Sequence, residues 1–245
     1  MPTQAKFYIC AVSGAGIAAI AYGFLYPPWP HDPIRFGVYF LLSLVAAALK
    51  VRLPGLTGTM SIGFVFVLLG IVELSLQETM AIACAGVAVQ CLWRAKTRPA
   101  AEQVLFSVST VAIALVMGYG AAHLVRWQLH AESVSIGLAV AACVYFTANS
   151  LLVAGVLSLV KRERFGAVWQ QCYLFAFPYY LVGGAVAGAM AASGRQFGWK
   201  PALLILPVMG MVFQFYRMYL ARLTMAEAGI AAQSAGLHAV QARSA

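Results

Sequence analysis

Apolar runs of membrane-spanning length follow one another along almost the whole chain, separated by short stretches that hold prolines, charged residues or both. A spanning helix takes about 20 predominantly apolar residues. Eight runs meet or approach that length, at 7–26, 34–49, 60–76, 79–93, 102–125, 134–160, 167–192 and 201–220. The second and fourth are short for a full crossing, and only Gln77-Glu78 separates the third from the fourth. A seven-span reading with that pair as a re-entrant hairpin therefore stands beside the eight-span one. Composition agrees with a bilayer as solvent: 62% of the 245 residues are hydrophobic and 9% charged, whereas a soluble domain carries roughly 25% charged residues. That balance excludes a soluble catalytic domain of ordinary size within the chain. The first run ends in Tyr-Pro-Pro-Trp-Pro without a small-residue cleavage site, and so reads as a first membrane helix and not a signal peptide.

The cations choose between the two readings. Lys and Arg close to span ends accumulate on the cytoplasmic side. With eight spans and a cytoplasmic N-terminus, one side receives Lys6, Lys50, Arg52, Arg94, Lys96, Arg98, Lys161, Arg162, Arg164, Arg217, Arg222 and Arg243, and the other only Arg35, Arg126, Arg195 and Lys200. Removing one crossing scatters them over both sides. The expected fold class is thus all-α: a polytopic membrane bundle of eight transmembrane helices with both termini cytoplasmic. The net charge of +9 is absorbed by topology, so no nucleic-acid partner is expected; the membrane lipid is. Cys10, Cys84, Cys91, Cys143 and Cys172 all lie in apolar runs with no CxxC pair, and read as small core residues.

The chain divides into two parts, a bundle over residues 1–220 and an exit segment over 221–245. In the second, Leu223, Ile230 and Leu237 recur every seven residues, with Ala226, Gln233 and Val240 at the complementary offset. This a/d spacing predicts a helix leaving the membrane, which offers a homodimer contact and a route for relaying a displacement of the bundle.

Ionisable and amide groups in hydrocarbon are costly, so each marks a candidate site. Glu73, His123 and Arg126 all fall at outer span ends and together could sense a proton, a cation or a polar ligand. Each could equally be hydrated at headgroup level. Tyr145 and Asn149 share a helix face, where Asn also serves as interhelical glue. Pro178, in the middle of the seventh run, predicts a kink beside which Tyr179 and Tyr180 could line a pocket for a small ligand, and Gly184 with Gly188 forms a GxxxG packing face. The glycines of Leu53-Pro-Gly-Leu-Thr-Gly-Thr-Met-Ser61 lack the Gly-Lys-Ser/Thr ending of a phosphate loop and read as a tight turn, with Thr59 or Ser61 capping the next helix. His31-Asp32 has no matching ligand set among the four histidines, His31, His123, His130 and His238. No metal, cofactor or catalytic constellation is expected, and the chain reads as a non-enzyme.

The run Lys50-Val-Arg-Leu-Pro-Gly-Leu-Thr-Gly-Thr-Met-Ser61, continued by Phe64-Val-Phe-Val-Leu-Leu-Gly70 and Glu73-Leu74, resembles the amino-terminal membrane sensor region, of MASE type, of bacterial signalling proteins. So does Phe177-Pro-Tyr-Tyr-Leu-Val-Gly-Gly184. In those proteins the region precedes a cytoplasmic HD-GYP phosphodiesterase or GGDEF diguanylate cyclase domain. The resemblance implies an inner-membrane input module for cyclic di-GMP signalling, with an output domain that these residues do not contain. The rival reading is a small-solute transporter or substrate-capture subunit, which the glycine-rich seventh run accommodates but the lack of an internal repeat disfavours.

Overall fold

The computed structural model describes residues 2–26, 32–48, 51–52, 59–60, 62–93, 99–129, 134–172 and 177–212, with positions 214, 215, 218, 219, 222 and 225. Among them the chain forms α1 (Thr3–Leu25), α2 (Pro33–Ala48), α3 (Gly63–Glu73), α4 (Leu76–Leu92), α5 (Ala101–Leu129), α6 (Val134–Lys161), α7 (Phe165–Cys172) and α8 (Phe177–Phe197). A 3-10 helix, Lys200–Leu204, then runs on as helix to Val212. The one extended feature among the described residues is a two-residue antiparallel ladder, β1 (Val51–Arg52) with β2 (Thr59–Met60).

Local chemistry sets the helix starts. Asp32 precedes Pro33 and accepts from the Arg35 N–H at 3.1 Å, an N-cap followed by a proline whose missing N–H costs nothing at the first helical position. Ser75 and Glu78 form a complete capping box on α4: the Ser75 side chain accepts from the Glu78 N–H, and Glu78 accepts in return from the Ser75 N–H. Ser75→Ala is expected to cost about 1 kcal/mol, seen as a lower unfolding midpoint in detergent, with the α4 first-turn amides exchanging faster.

Close contacts fix the relative directions of the helices. Tyr8 stacks near Phe106 and Tyr26 near Tyr119, so α1 and α5 run parallel. Phe64 meets Gly183, and Glu73 meets Gly194, so α3 and α8 run parallel as well. The Tyr8 hydroxyl donates to the Leu152 carbonyl at 3.1 Å near the far end of α6, which makes α6 antiparallel to α1. Ala142 and Leu138 of α6 lie against Gly184 and Gly188 of α8, again antiparallel. The contacts of α4 with α1, through Gly23 and Met80, and of α2 with α3, through Tyr39 and Glu73, complete the alternation. One end of the bundle therefore gathers the ends of α1, α3, α5 and α8 with the starts of α2, α4 and α6.

Three described helices are long and apolar enough to cross a membrane, Thr3–Leu25, Ala101–Val125 and Ile136–Lys161; shorter apolar helices cover Pro33–Ala48, Gly63–Glu73, Leu76–Leu92 and Lys200–Val212. Phe7, Ile17, Leu25, Leu41, Met117 and Leu124 are exposed on the outside of the bundle, as a lipid-facing surface requires. At the centre lies α3, in which Phe64 to Ile71 are buried on every face.

The structure corrects two expectations. The third run is not helical over 60–76: α3 has 11 residues, about 16 Å at 1.5 Å per residue, because Leu74 and Ser75 turn extended to start the capping box. Thr59 does not cap α3 but pairs with Arg52 in the ladder; the N-cap is Ile62, with no side-chain cap bond. Pro178 is the second residue of α8 (Phe177–Phe197), and positions 173–176, on which the expected kink depends, lie outside the described residues.

Candidate functional site

At the end of the bundle that gathers Tyr26, Arg35, Glu73 and Gly194, a small polar cluster is built from three helices. Glu73, the last residue of α3, has a side chain only 8% exposed. Its carboxylate accepts a short hydrogen bond from the Tyr39 hydroxyl of α2. One turn earlier on α2, Arg35 brings Nη1 to 3.6 Å from the same Glu73 oxygen, Oε2. Arg35 Nε lies 3.6 Å from Oδ2 of Asp32. Tyr39 is itself 2% exposed, so its hydroxyl bond to Glu73 is made away from bulk water. A buried carboxylate needs such partners, since leaving it unpaired would forfeit its hydration without return.

The far side of the carboxylate is closed by α8. A Cβ added to Gly194 would stand 2.8 Å from Glu73 Oε1, so a methyl here would press on the carboxylate. The i, i+4 spacing of Arg35 and Tyr39 puts both groups on one face of α2; Glu73 is thereby held by two residues of α2 and covered by a third helix. A displacement of α8 along α3 must change the space around that carboxylate.

Beside this cluster, an aromatic chain links the ends of α1 and α5: Tyr22 to Tyr26 at 5.7 Å, Tyr26 edge-on to Tyr119 at 6.3 Å, and Tyr119 to His123 at 4.3 Å between ring centroids. Gln77, in the first turn of α4, donates from Nε2 to the carbonyls of Phe24 and Tyr26 at 2.8 and 2.9 Å. These are carbonyls that the end of α1 leaves without intrahelical donors. Gln77→Ala is expected to cost about 1 kcal/mol and to speed amide exchange over the last turn of α1, read by hydrogen–deuterium exchange.

The remaining expected site residues are spread over the bundle. His123 stacks on Tyr119, while the side chain of Arg126 lies outside the described residues. Tyr145 and Tyr179 are buried at 3% and 1% exposure, and Asn149 is half-buried one turn beyond Tyr145. Phe64 of α3 packs on Tyr179 and Tyr180 with centroids 5.5 and 4.3 Å away, and Phe146 packs on Tyr180 at 4.9 Å. These tyrosines are thus joined to the start of α3 in an aromatic core. Pro178 is exposed. The groove on α8 begins one turn further on: it has a volume of about 350 Å³ and is lined by Leu181, Gly184, Gly188, Leu138 and Ala142 among others. Leu223, Ile230 and Leu237 lie outside the described residues, as does His31. No group of three or more His, Cys, Asp or Glu side chains that could hold a metal is found among the described residues.

Arg35, Tyr39 and Gln77 are not among the residues that the sequence singles out for a site. Arg35 reads in the sequence as one of the four outer-side cations, and Tyr39 as one more position of the second run. Only the spacing after Asp32-Pro33, which starts a helix there, hints that the two share a face.

No curated protein and no solved structure matches the chain significantly. The MASE9 family matches residues 18–179, more than half of the chain, from the second half of α1 to the first turn of α8. That segment holds α2, α3 and the Arg35–Tyr39–Glu73 cluster. The chain belongs to the MASE9 family of membrane-associated sensor domains.

Proposed function

We propose that this chain is the input module of a bacterial inner-membrane signalling protein, in which a small or lipophilic signal acts among the helices and a displacement leaves through the C-terminal helix. The observation that carries the reading is the Glu73 carboxylate, held by Tyr39 and Arg35 of α2 and covered by Gly194 of α8. Such a group is costly in a membrane bundle, and its surroundings depend on the relative position of three helices.

In this reading the chain crosses eight times with both termini cytoplasmic, which sets the direction of output. The alternating directions of α1 to α6 and α8 are compatible with that count, with α7 and α8 taken together as the seventh crossing and the helix from Lys200 taken as the eighth. The twelve-to-four division of cations supports an orientation with the Glu73 end outside. A cytoplasmic domain of cyclic di-GMP turnover is the output that the MASE resemblance implies, and a dimer through Leu223, Ile230 and Leu237 would transmit rotation or shift to it.

The test is a fusion of the whole chain to a diguanylate cyclase reporter in a bacterial membrane. Glu73→Gln, Tyr39→Phe and Arg35→Gln should each change the basal cyclic di-GMP output at unchanged membrane abundance. If all three leave output at the parent level while the reporter answers to deletion of the exit helix, the cluster is not the input.

A further inference from the structure

At the opposite end of the bundle, α6 and α7 meet in a cationic elbow. Lys161, Arg162 and Arg164 fall within four positions, with Glu163 among them, and all four residues are exposed. Helix α6 closes there with the Glu163 N–H donating to the Ser158 carbonyl at 3.2 Å, a Schellman-type end. Its turn residue is Arg162, at φ 59°. This left-handed conformation is the one in which glycine is ordinarily found, because a Cβ there crowds the backbone. Among the described residues it is the one non-glycine with positive φ. The elbow thus holds an arginine in the conformation where glycine would sit without strain.

Helix α7 fixes the depth of the elbow. Its Val168 is buried and the Trp169 Nε1–H donates to Ser150 Oγ at 3.0 Å. Ser150 lies 11 positions before Lys161, about 16 Å along α6, so α7 climbs back along α6 and the cations stand at the tip. Phe165, 45% exposed, comes directly after them. Cations at a bundle tip followed in the chain by an exposed aromatic residue that starts the returning helix suit a phospholipid, a negative headgroup above hydrocarbon.

We infer that the α6–α7 elbow is a binding site for an anionic phospholipid headgroup, with Lys161, Arg162 and Arg164 as its cationic contacts and Phe165 against the acyl chain. The site requires neither a particular leaflet nor the proposed sensing role. The charge gives arginine a use at this left-handed turn that glycine lacks: the lipid contact offsets the conformational strain. Glu163 trims the local charge to a net of two cations and so limits, without cancelling, the attraction.

Purified full chain in zwitterionic detergent is titrated with phosphatidylglycerol and bound lipid is counted by native mass spectrometry; unfolding midpoints are measured in nanodiscs of phosphatidylcholine with and without phosphatidylglycerol. Each cation near an anionic surface is worth about 1 kcal/mol, about fivefold in affinity. Lys161→Gln and Arg164→Gln should each weaken binding about fivefold. Arg162→Gly should weaken it likewise, yet raise the midpoint in pure phosphatidylcholine by relieving the left-handed turn. Lys200→Gln, the same charge change at the other end, should leave binding unaltered, and inorganic phosphate should not compete. Equal losses with Lys200→Gln, undiminished binding by the elbow variants, or displacement by free phosphate would each overturn the proposal.

Discussion

Glu73→Ala is expected to destabilise the bundle by about 3 kcal/mol, the lower end of what removing one partner of a buried ion pair costs, because the Arg35 side chain keeps 27% of its exposure and recovers part of its hydration. The variant leaves the Tyr39 hydroxyl, in a residue 2% exposed, without its acceptor. Glu73→Gln should cost less, since an amide oxygen still accepts from Tyr39 while the attraction of Arg35 is lost. Tyr39→Phe should cost about 2 kcal/mol, the range for a hydrogen bond to a charged group. Unfolding midpoints in detergent order the three. A double-mutant cycle of Arg35→Gln with Glu73→Gln should return a coupling of about 1 kcal/mol. A coupling indistinguishable from zero would mean that the ion pair at 3.6 Å contributes only proximity.

The cluster shows where a sequence is legible and where it is not. Glu73 stands out because a carboxylate at the end of an apolar run has few uses, and that logic needs no structure. Its partners do not stand out, because Arg35 and Tyr39 lie on another helix and only tertiary packing brings them to it. Helices α1, α5 and α6 agree with the runs 7–26, 102–125 and 134–160 because each is bounded by breakers and apolar all round. The start of α4 is just as readable: Ser75-Leu-Gln-Glu78 is the spacing of a capping box, whereas counting hydrophobic residues turns Gln77-Glu78 into a gap. The Gly184–Gly188 pair stands out by its motif, yet the tighter contact belongs to the neighbouring Gly183.

Gly183→Ala is expected to be the most damaging small substitution in α8. A Cβ there overlaps the ring of Phe64, and that ring cannot move aside, being 6% exposed and packed on Tyr179 and Tyr180. Overpacking of a filled core typically costs 1–3 kcal/mol, and the upper end, about 3 kcal/mol, is expected. Shrinking the obstacle should repair it: Gly183→Ala with Phe64→Leu should recover part of the lost midpoint, which a backbone effect of alanine in a helix would not allow, alanine being the better helix former. Gly194→Ala, eleven positions on, meets a different neighbour. Its methyl would press on Glu73 Oε1, a side-chain end that can swing only by loosening its bonds to Tyr39 and Arg35. The stability cost should therefore be smaller, about 1 kcal/mol, and the reporter output should shift as it does in Glu73→Gln. The two glycines seat α8 at the two ends of α3, one against a rigid ring and the other against an ionic group. If Gly183→Ala lowers stability without altering output per folded molecule, while Gly194→Ala does the reverse, the seat at Glu73 carries the signal and the seat at Phe64 is the fixed point about which α8 moves.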